Sequence, residues 1–474
     1  ALAVAQPDTT ADVAAVLRWC QAERVAVVPQ GGNTGLSGGS VPQADMPDAL
    51  NAPGVAGVPN APGSSGRCIV LSLTRMNRVR ALDAHNNTFT LEAGVTLLAA
   101  QQAAEQAGRL FPLSLAAQGT CTVGGNLATN AGGVQVLRYG NTRELCLGLE
   151  VVTAEGEIWN GLRGLRKDNT GYDLRDLYIG SEGTLGVITA GVFKLFPRPA
   201  AQAVALVAVP SPEAALALLQ TAQARCGAQL TAFELMSRVC LDLVLRHMPA
   251  VRQPLQGAAA AWFVLLEVSV AAGEARSAGG DAQAHASALL EDVLASALET
   301  GEVEDAAISS NLSQFAALWA LRENISEAQG AEGKTIKHDV SVPISRIPAF
   351  IHRTSAALAA AFPQVRLVVF GHMGDGNLHF NLSPAESDCV PELAAAPKAQ
   401  RMAQFLALER PLNTLVHDAV VAHGGSISAE HGLGVLRRDE AARWRDPVEH
   451  ALMRRVKAAL DPLGLMNPGK VLPA

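Results

Sequence analysis

Three glycine-dense segments constrain this chain more than any other feature: "QGGNTGLSGGSVP" at 30–42, "GTCTVGGNLATNAGG" at 119–133 and "GSEGTLGVITAG" at 180–191. The first follows the apolar, β-branched run "RVAVVP", which reads as a strand, so its glycines stand where the backbone leaves a sheet. Each segment offers peptide N–H groups with no side chain in the way, a surface suited to phosphate or to the face of a flat cofactor. Glycines serving only turns and packing are the plain alternative. Three such loops in one α+β region favour a dinucleotide site, while the missing G-x-G-x-x-G spacing argues against a Rossmann fold.

The 474 residues suffice for two or three domains, and 49% hydrophobic with 17% charged residues is a globular composition. A net charge of −7 without a dense Lys/Arg track argues against nucleic acid as the main partner, leaving a basic pocket open. The seven cysteines are scattered without a C-x-x-C pair, as free thiols of a reducing compartment would be, so the setting expected is cytoplasmic. Neither an iron–sulfur cluster nor a thiol redox centre is suggested. The start "ALAVAQPDTTADVAAVLRW" passes directly into an amphipathic helix without a signal-like core, and "AAAAWFVLLEVSVAAG" is too short to span a bilayer and carries Glu267.

Along the chain the pattern predicts a helix over 8–18, strands at 24–29, 68–73, 87–95 and 146–159, and a helix between the last two. The Pro/Gly/Asn-rich stretch 43–66 reads as an exposed loop. From residue 201 strands such as "AVALVAVP" and "WFVLLEVSV" alternate with alanine-rich helices at 211–225 and 281–297, the pattern of a separate α+β domain. One helix is expected over 400–424.

A second chemistry is written in "GHMGDGNLHFN", 371–381. If Asp375-Gly376 is a two-residue hairpin turn, His372 lies opposite His379 with Cβ atoms roughly 5 Å apart. Such a pair is either half of a transition-metal site or two histidines satisfied by ordinary hydrogen bonds. "GGSISAEHGLG" at 424–434 adds Glu430, which would complete a two-histidine, one-carboxylate site, and His431 beside it; a solvated glutamate and a capping histidine are the plain readings. Arg322 and Lys337 are by default surface and strand-edge residues, and functionally a forked and a point cation for an acidic substrate.

Together "PQGGNTGLSGG", "GGNLATNAGG", "GSEGTLGVIT", "GHMGDGNLHFN", "SAEHGLG" and "MNPGK" resemble, in order and over nearly the entire chain, the flavin-dependent 2-hydroxy acid dehydrogenases of the vanillyl-alcohol-oxidase-like superfamily, in particular those acting on D-2-hydroxyglutarate. The resemblance implies an α+β fold: a two-subdomain FAD-binding domain over 1–200, an α+β substrate-cap domain carrying metal ligands over 201–420, and a segment 421–474 that completes the FAD domain and active site. It places Gly31, Gly32, Asn33, Thr34 and Gly35 around the pyrophosphate. Gly119, Thr120, Gly124, Gly125, Asn126, Ala128 and Thr129 would line further FAD surface, Gly183, Gly186, Val187 and Ile188 the adenine side, and Asn467 the ring. The first two glycine loops hold no histidine to tether FAD, so non-covalent binding is implied.

By the same resemblance His372, His379 and Glu430 are metal ligands, with zinc the expected ion, and Asn381 and His431 face the substrate. Arg322 and Lys337 match the carboxylate-reading pair, with Ser326 on the arginine-bearing helix. The implied reaction oxidises D-2-hydroxyglutarate to 2-oxoglutarate: the metal acidifies the substrate hydroxyl, His431 takes its proton, and the α-carbon passes hydride to flavin N5. D-lactate, D-malate and glycolate dehydrogenases share these motifs and are the nearest rivals; an oxidase and a flavin-binding non-enzyme are the others. The family also implies an electron-transfer flavoprotein or quinone-linked acceptor and leaves a homodimer open. One departure is the long 43–66 insertion, which removes no proposed chemical residue.

Overall fold

The computed structural model describes residues 1–43, 67–255, 260–277, 280–385 and 397–473, so the expected 43–66 loop lies outside the described residues beyond its first position. The chain divides into two compact units. The first comprises Ala1–Gly133, Tyr139–Arg198 and Glu430–Ala474, and the second Val134–Arg138 and Pro199–Ala429.

The first unit holds two α+β layers. The parallel strands Ala3–Ala5, Cys68–Ser72 and Ala26–Gln30 form a three-stranded sheet with Cys68–Ser72 in the middle. The helix Thr10–Glu23 starts at a capping box in which Thr9 and Asp12 satisfy each other's backbone N–H groups, and it buries Val13, Ala14, Leu17 and Cys20, one face at helical spacing. These side chains share a core with Val27, Leu71 and Met466. Val79–Asp83, Thr88–Glu92, Gly186–Lys194, Cys146–Thr153 and Ile158–Gly161 form the second, antiparallel sheet in that spatial order. Phe89, Phe111 and Phe193 meet edge to face at its core, with centroids 5.0 to 6.1 Å apart. Between Val123 and Thr129 the second glycine segment becomes a short helix capped by Thr122.

The second unit is a seven-stranded antiparallel sheet in the order Asp305–Ile308, Ala201–Val209, Trp262–Val270, Leu230–Ser237, Val365–His372, Asn377–Pro384, Asp339–Ser341. Helices cover its central strands, which is why "AVALVAV" and "WFVLLEV" are apolar at nearly every position. One face, carrying Val204, Leu206, Ala232, Met236, Phe263, Leu265 and Phe370, packs against the helices Arg238–His247, Leu312–Glu323 and Ile325–Glu332. The single helix expected over 400–424 is two, Lys398–Leu406 and Glu409–Ala422, because Pro411 has no N–H to donate back to residue 407. The return to the first unit begins at Glu430, later than the expected 421. Ser426 bridges to Ser341 and Ala429 N–H donates to Asp339 O at 3.2 Å, which holds the stretch before Glu430 on the second unit's sheet edge.

Candidate active site

In the first unit the three glycine segments converge on one cleft. It is lined by Gly31, Gly32, Asn33, Thr34, Gly35, Gly124, Gly125, Asn126, Ala128, Thr129, Gly183, Gly186, Val187 and Ile188. Gly119, Thr120 and Asn467 are not among the lining residues. Close backbone approach explains the glycines: a Cβ on Gly32 would lie 2.0 Å from Thr120 O, and one on Gly31 would lie 2.4 Å from Thr122 Oγ1. Gly35 instead faces open space. Asn126 is buried against the cleft and its Nδ2 has no hydrogen-bond partner among the described residues, an unfilled donor that a bound cofactor can satisfy. Narrow glycine walls with a spare amide donor fit a flat, phosphate-bearing group such as FAD.

The C-terminal segment clamps these loops. Asn467 adopts φ +41 and donates from Nδ2 to Gly39 O at 2.9 Å and Glu182 O at 2.8 Å, so its side chain ties the first glycine loop to the third. Lys470 Nζ donates to Gly38 O and Val41 O, both at 2.8 Å, and burial pushes its pKa down to about 8. Glu182 accepts from the N–H groups of Leu433 and Gly434 at 2.8 and 2.9 Å; burial raises its pKa while those amides oppose the rise. Sequence reading missed Glu182 and Lys470, whose only local signal was a charge set among glycines. His431 is half-buried, and its carbonyl accepts from Ser37 Oγ at 2.9 Å.

In the second unit Val365–His372 and Asn377–Pro384 form the expected hairpin with a different register. Phe370 faces His379, and four residues, Met373–Gly376, make the connection. Asp375 is not a hairpin-turn centre: its carboxylate accepts from Asn377 N–H at 3.1 Å, while His372 O accepts from Asp375 N–H and Gly376 N–H. His372 and His379 are therefore diagonal neighbours rather than directly opposite. Moving a partner by two positions keeps both side chains on one face, and the rings stand 5.7 Å apart at 76°.

Each histidine faces a carboxylate from the adjacent strand. Glu234 lies opposite His372, whose Nδ1–H donates to Glu234 Oε1 at 2.6 Å; Asp339 lies opposite His379 with 3.9 Å between Oδ1 and Nδ1. Burial by itself would raise the Glu234 pKa, but the hydrogen bonds from His372 and Arg322 and the Arg322 charge hold it below the usual carboxylate range. Arg322 is buried, not a surface residue, donating from Nε to Glu234 Oε2 at 2.8 Å with its guanidinium 4.7 Å from the Phe370 ring centroid. Ser326 does not share the arginine's helix: Leu312–Glu323 ends at Asn324, and Ser326 is exposed on Ile325–Glu332. Lys337 is exposed beside the Ile336–Leu382 bridge. Asn381 is buried, donating to Gln329 Oε1 at 3.1 Å and accepting from His338 N–H at 3.3 Å. Glu234 and Asp339 went unnoticed in the sequence, although a lone glutamate in the apolar strand "LTAFELMS" is a signal that could have found the first.

Comparison with known proteins bears on both units. Residues 1–46 and 56–161 match the model of an FAD binding domain, and 198–471 match the C-terminal domain of FAD linked oxidases. The chain is 38% identical over 468 residues to the mitochondrial D-2-hydroxyglutarate dehydrogenase of Bos taurus, covering 99% of this chain and 76% of that one. It is 39% identical to the D-2-hydroxyglutarate dehydrogenase of Xanthomonas citri pv. viticola, covering 99% and 89%. The solved structure of p-cresol methylhydroxylase superposes with a TM-score of 0.69 at 14% identity over 99% of this chain and 88% of that one, a likeness of fold. The mitochondrial names of the relatives from Bos taurus, Rattus norvegicus and Arabidopsis thaliana overturn the expected cytoplasmic setting. Free thiols report a redox environment and carry no address. The chain belongs to the FAD-linked oxidases, within the group of the D-2-hydroxyglutarate dehydrogenases, and is an FAD-dependent enzyme.

Proposed function

We infer that this enzyme oxidises D-2-hydroxyglutarate to 2-oxoglutarate with non-covalently held FAD and a divalent metal, zinc for preference. The observation that carries the reading is the sheet face on which His372 and His379 each stand before a buried carboxylate, with Arg322 beside them. Carboxylate-backed imidazoles are the usual second layer of a metal site, and His372, His379 and Glu430 are a donor set suited to one borderline ion with room for substrate.

The glycines of the first loop, Gly31 to Gly35, would take the pyrophosphate, and Asn126 Nδ2 supplies a donor at the same cleft. Bound FAD supplies the acceptor for the two electrons and the hydrogen leaving the substrate α-carbon. A bound divalent ion supplies Lewis-acid polarisation that makes the substrate hydroxyl easier to deprotonate. His431 accepts that proton on its imidazole as the general base. Arg322 and Lys337 hold the distal carboxylate, and Asn381, fixed by Gln329, orients the α end. The reduced enzyme passes electrons to an electron-transfer flavoprotein or a quinone-linked carrier.

Anaerobic, metal-loaded holoenzyme mixed separately with D- and L-2-hydroxyglutarate, D-malate, D-lactate and glycolate tests the reading through loss of visible flavin absorbance. Fast bleaching by D-2-hydroxyglutarate supports it; faster bleaching by D-lactate or glycolate replaces the substrate; no bleaching by any acid removes the reaction. His431→Asn is expected to slow bleaching by about 10²- to 10⁴-fold with flavin content unchanged.

A further inference from the structure

We propose that Glu234 is a positioning residue that couples the two poles of the substrate site, its two carboxylate oxygens setting at once the ligand nitrogen of His372 and the orientation of Arg322. The inference rests on the function proposed above.

Glu234 is fully buried in the central strand Leu230–Ser237, between apolar neighbours Phe233 and Leu235. A carboxylate there is costly unless each oxygen is satisfied. Both oxygens are used: Oε1 lies 2.6 Å from His372 Nδ1 and Oε2 lies 2.8 Å from Arg322 Nε. The two partners reach it from different elements. His372 stands directly across the sheet, while Arg322 descends from the last turn of Leu312–Glu323 and rests on the Phe370 ring.

The chemistry of each contact fixes one pole. An ionised carboxylate only accepts, so His372 carries its proton on Nδ1 and keeps the Nε2 lone pair for a metal. Arg322 spends its Nε–H on Glu234 and retains its terminal N–H groups, in a plane set by Glu234 and Phe370, for a substrate carboxylate. One buried anion thereby joins the tautomer of a metal ligand to the aim of the anion reader.

Glutamine in place of Glu234 preserves shape but has one acceptor for two donors. With its NH₂ toward His372, it drives the ring proton to Nε2 and removes the ligand lone pair; with its NH₂ toward Arg322, two N–H groups collide. Aspartate keeps the charge, but its stem is shorter by about 1.5 Å and cannot span both partners.

The test is a Co(II) titration of metal-stripped, FAD-loaded full-length enzyme, followed by the visible bands of the bound ion, for wild type, Glu234→Gln and Glu234→Asp. KM for D-2-hydroxyglutarate and for D-lactate is measured on the same samples. Glu234→Gln is expected to bind Co(II) about 10- to 100-fold more weakly and to shift the KM ratio against the dicarboxylate by about tenfold, with flavin content unchanged. A folded Glu234→Gln enzyme that binds Co(II) within about twofold of wild type overturns the proposal. So does weakened Co(II) binding with an unshifted KM ratio, which leaves Glu234 a partner of His372 alone. Should the glutamine variant fail to fold, Glu234→Asp decides: several-fold weaker Co(II) binding is expected, and unchanged binding overturns the coupling. Wild-type enzyme without a Co(II) site would remove the proposed metal chemistry itself, a failure read before any variant is compared.

Discussion

In the first unit the candidate cofactor cleft is walled largely by main chain, with glycines placed where a Cβ would strike Thr120 O or Thr122 Oγ1 and loops clamped by Asn467 and Lys470. In the second unit the polar groups stand on strands as side chains, and Glu234, His372, His379 and Asp339 follow one another across a single sheet face. A main-chain site tolerates little added volume but does not depend on the charge of any one residue. A side-chain site is the reverse: removing one member leaves its buried partners uncompensated.

The sharpest way to separate the two modes is His379→Ala. It should lower Co(II) affinity by at least about a hundredfold while the flavin-to-protein ratio stays at the wild-type value; flavin loss in this variant would break the comparison. Gly32→Ala is the counterpart in the first unit, where the added methyl meets Thr120 O at 2.0 Å. A cost of about 3 kcal/mol is expected, read as a lower urea midpoint together with flavin release, with Co(II) affinity unchanged.

A third experiment uses pH. Glu267 is fully enclosed in the second unit's sheet, and burial raises its pKa to about 7 against the opposing hydrogen bonds from Trp319, Gln202 and Ser269. Below about pH 4 both folded and unfolded chains hold this proton. Between there and 7 the unfolded chain releases it first, so this group's contribution to stability falls as pH rises through that window. Glu267→Gln should therefore match wild type near pH 4 and exceed it at pH 8 by roughly 3 kcal/mol in chemical denaturation. An equal difference at both pH values would show that ionisation is not the cause. The smallest effect is expected for Asn467→Ala, which loses two hydrogen bonds and places alanine at φ +41. About 1–2 kcal/mol of stability and a weaker hold on flavin should follow.

The same contrast explains what could be read in the chain beforehand. The glycine segments announced the first cleft because close backbone approach demands glycine locally, and fourteen of the expected cofactor residues line it. Asn467 was expected near the flavin ring, but what it does in the fold, tying Gly39 to Glu182, depends on partners hundreds of positions away. The histidine pair was legible from "GHMGDGNLHFN", yet the turn was misread because Asp375 engages Asn377 N–H instead of occupying the centre of a two-residue turn. The faces survived that error, since a shift of two positions preserves the side of a strand on which a residue stands.

The sequence by itself determined the α+β class, the cofactor type and the residue kinds of a candidate metal site, because glycine density, strand alternation and ordered motifs are local properties of a chain. Tertiary structure alone decided that Arg322 is buried on Glu234, that Ser326 belongs to another helix, and that each histidine faces a carboxylate. Those facts turn on strand order and register across a seven-stranded sheet. Pairings between residues tens to more than a hundred positions apart are set by which faces can bury together, a condition that no local stretch of residues contains.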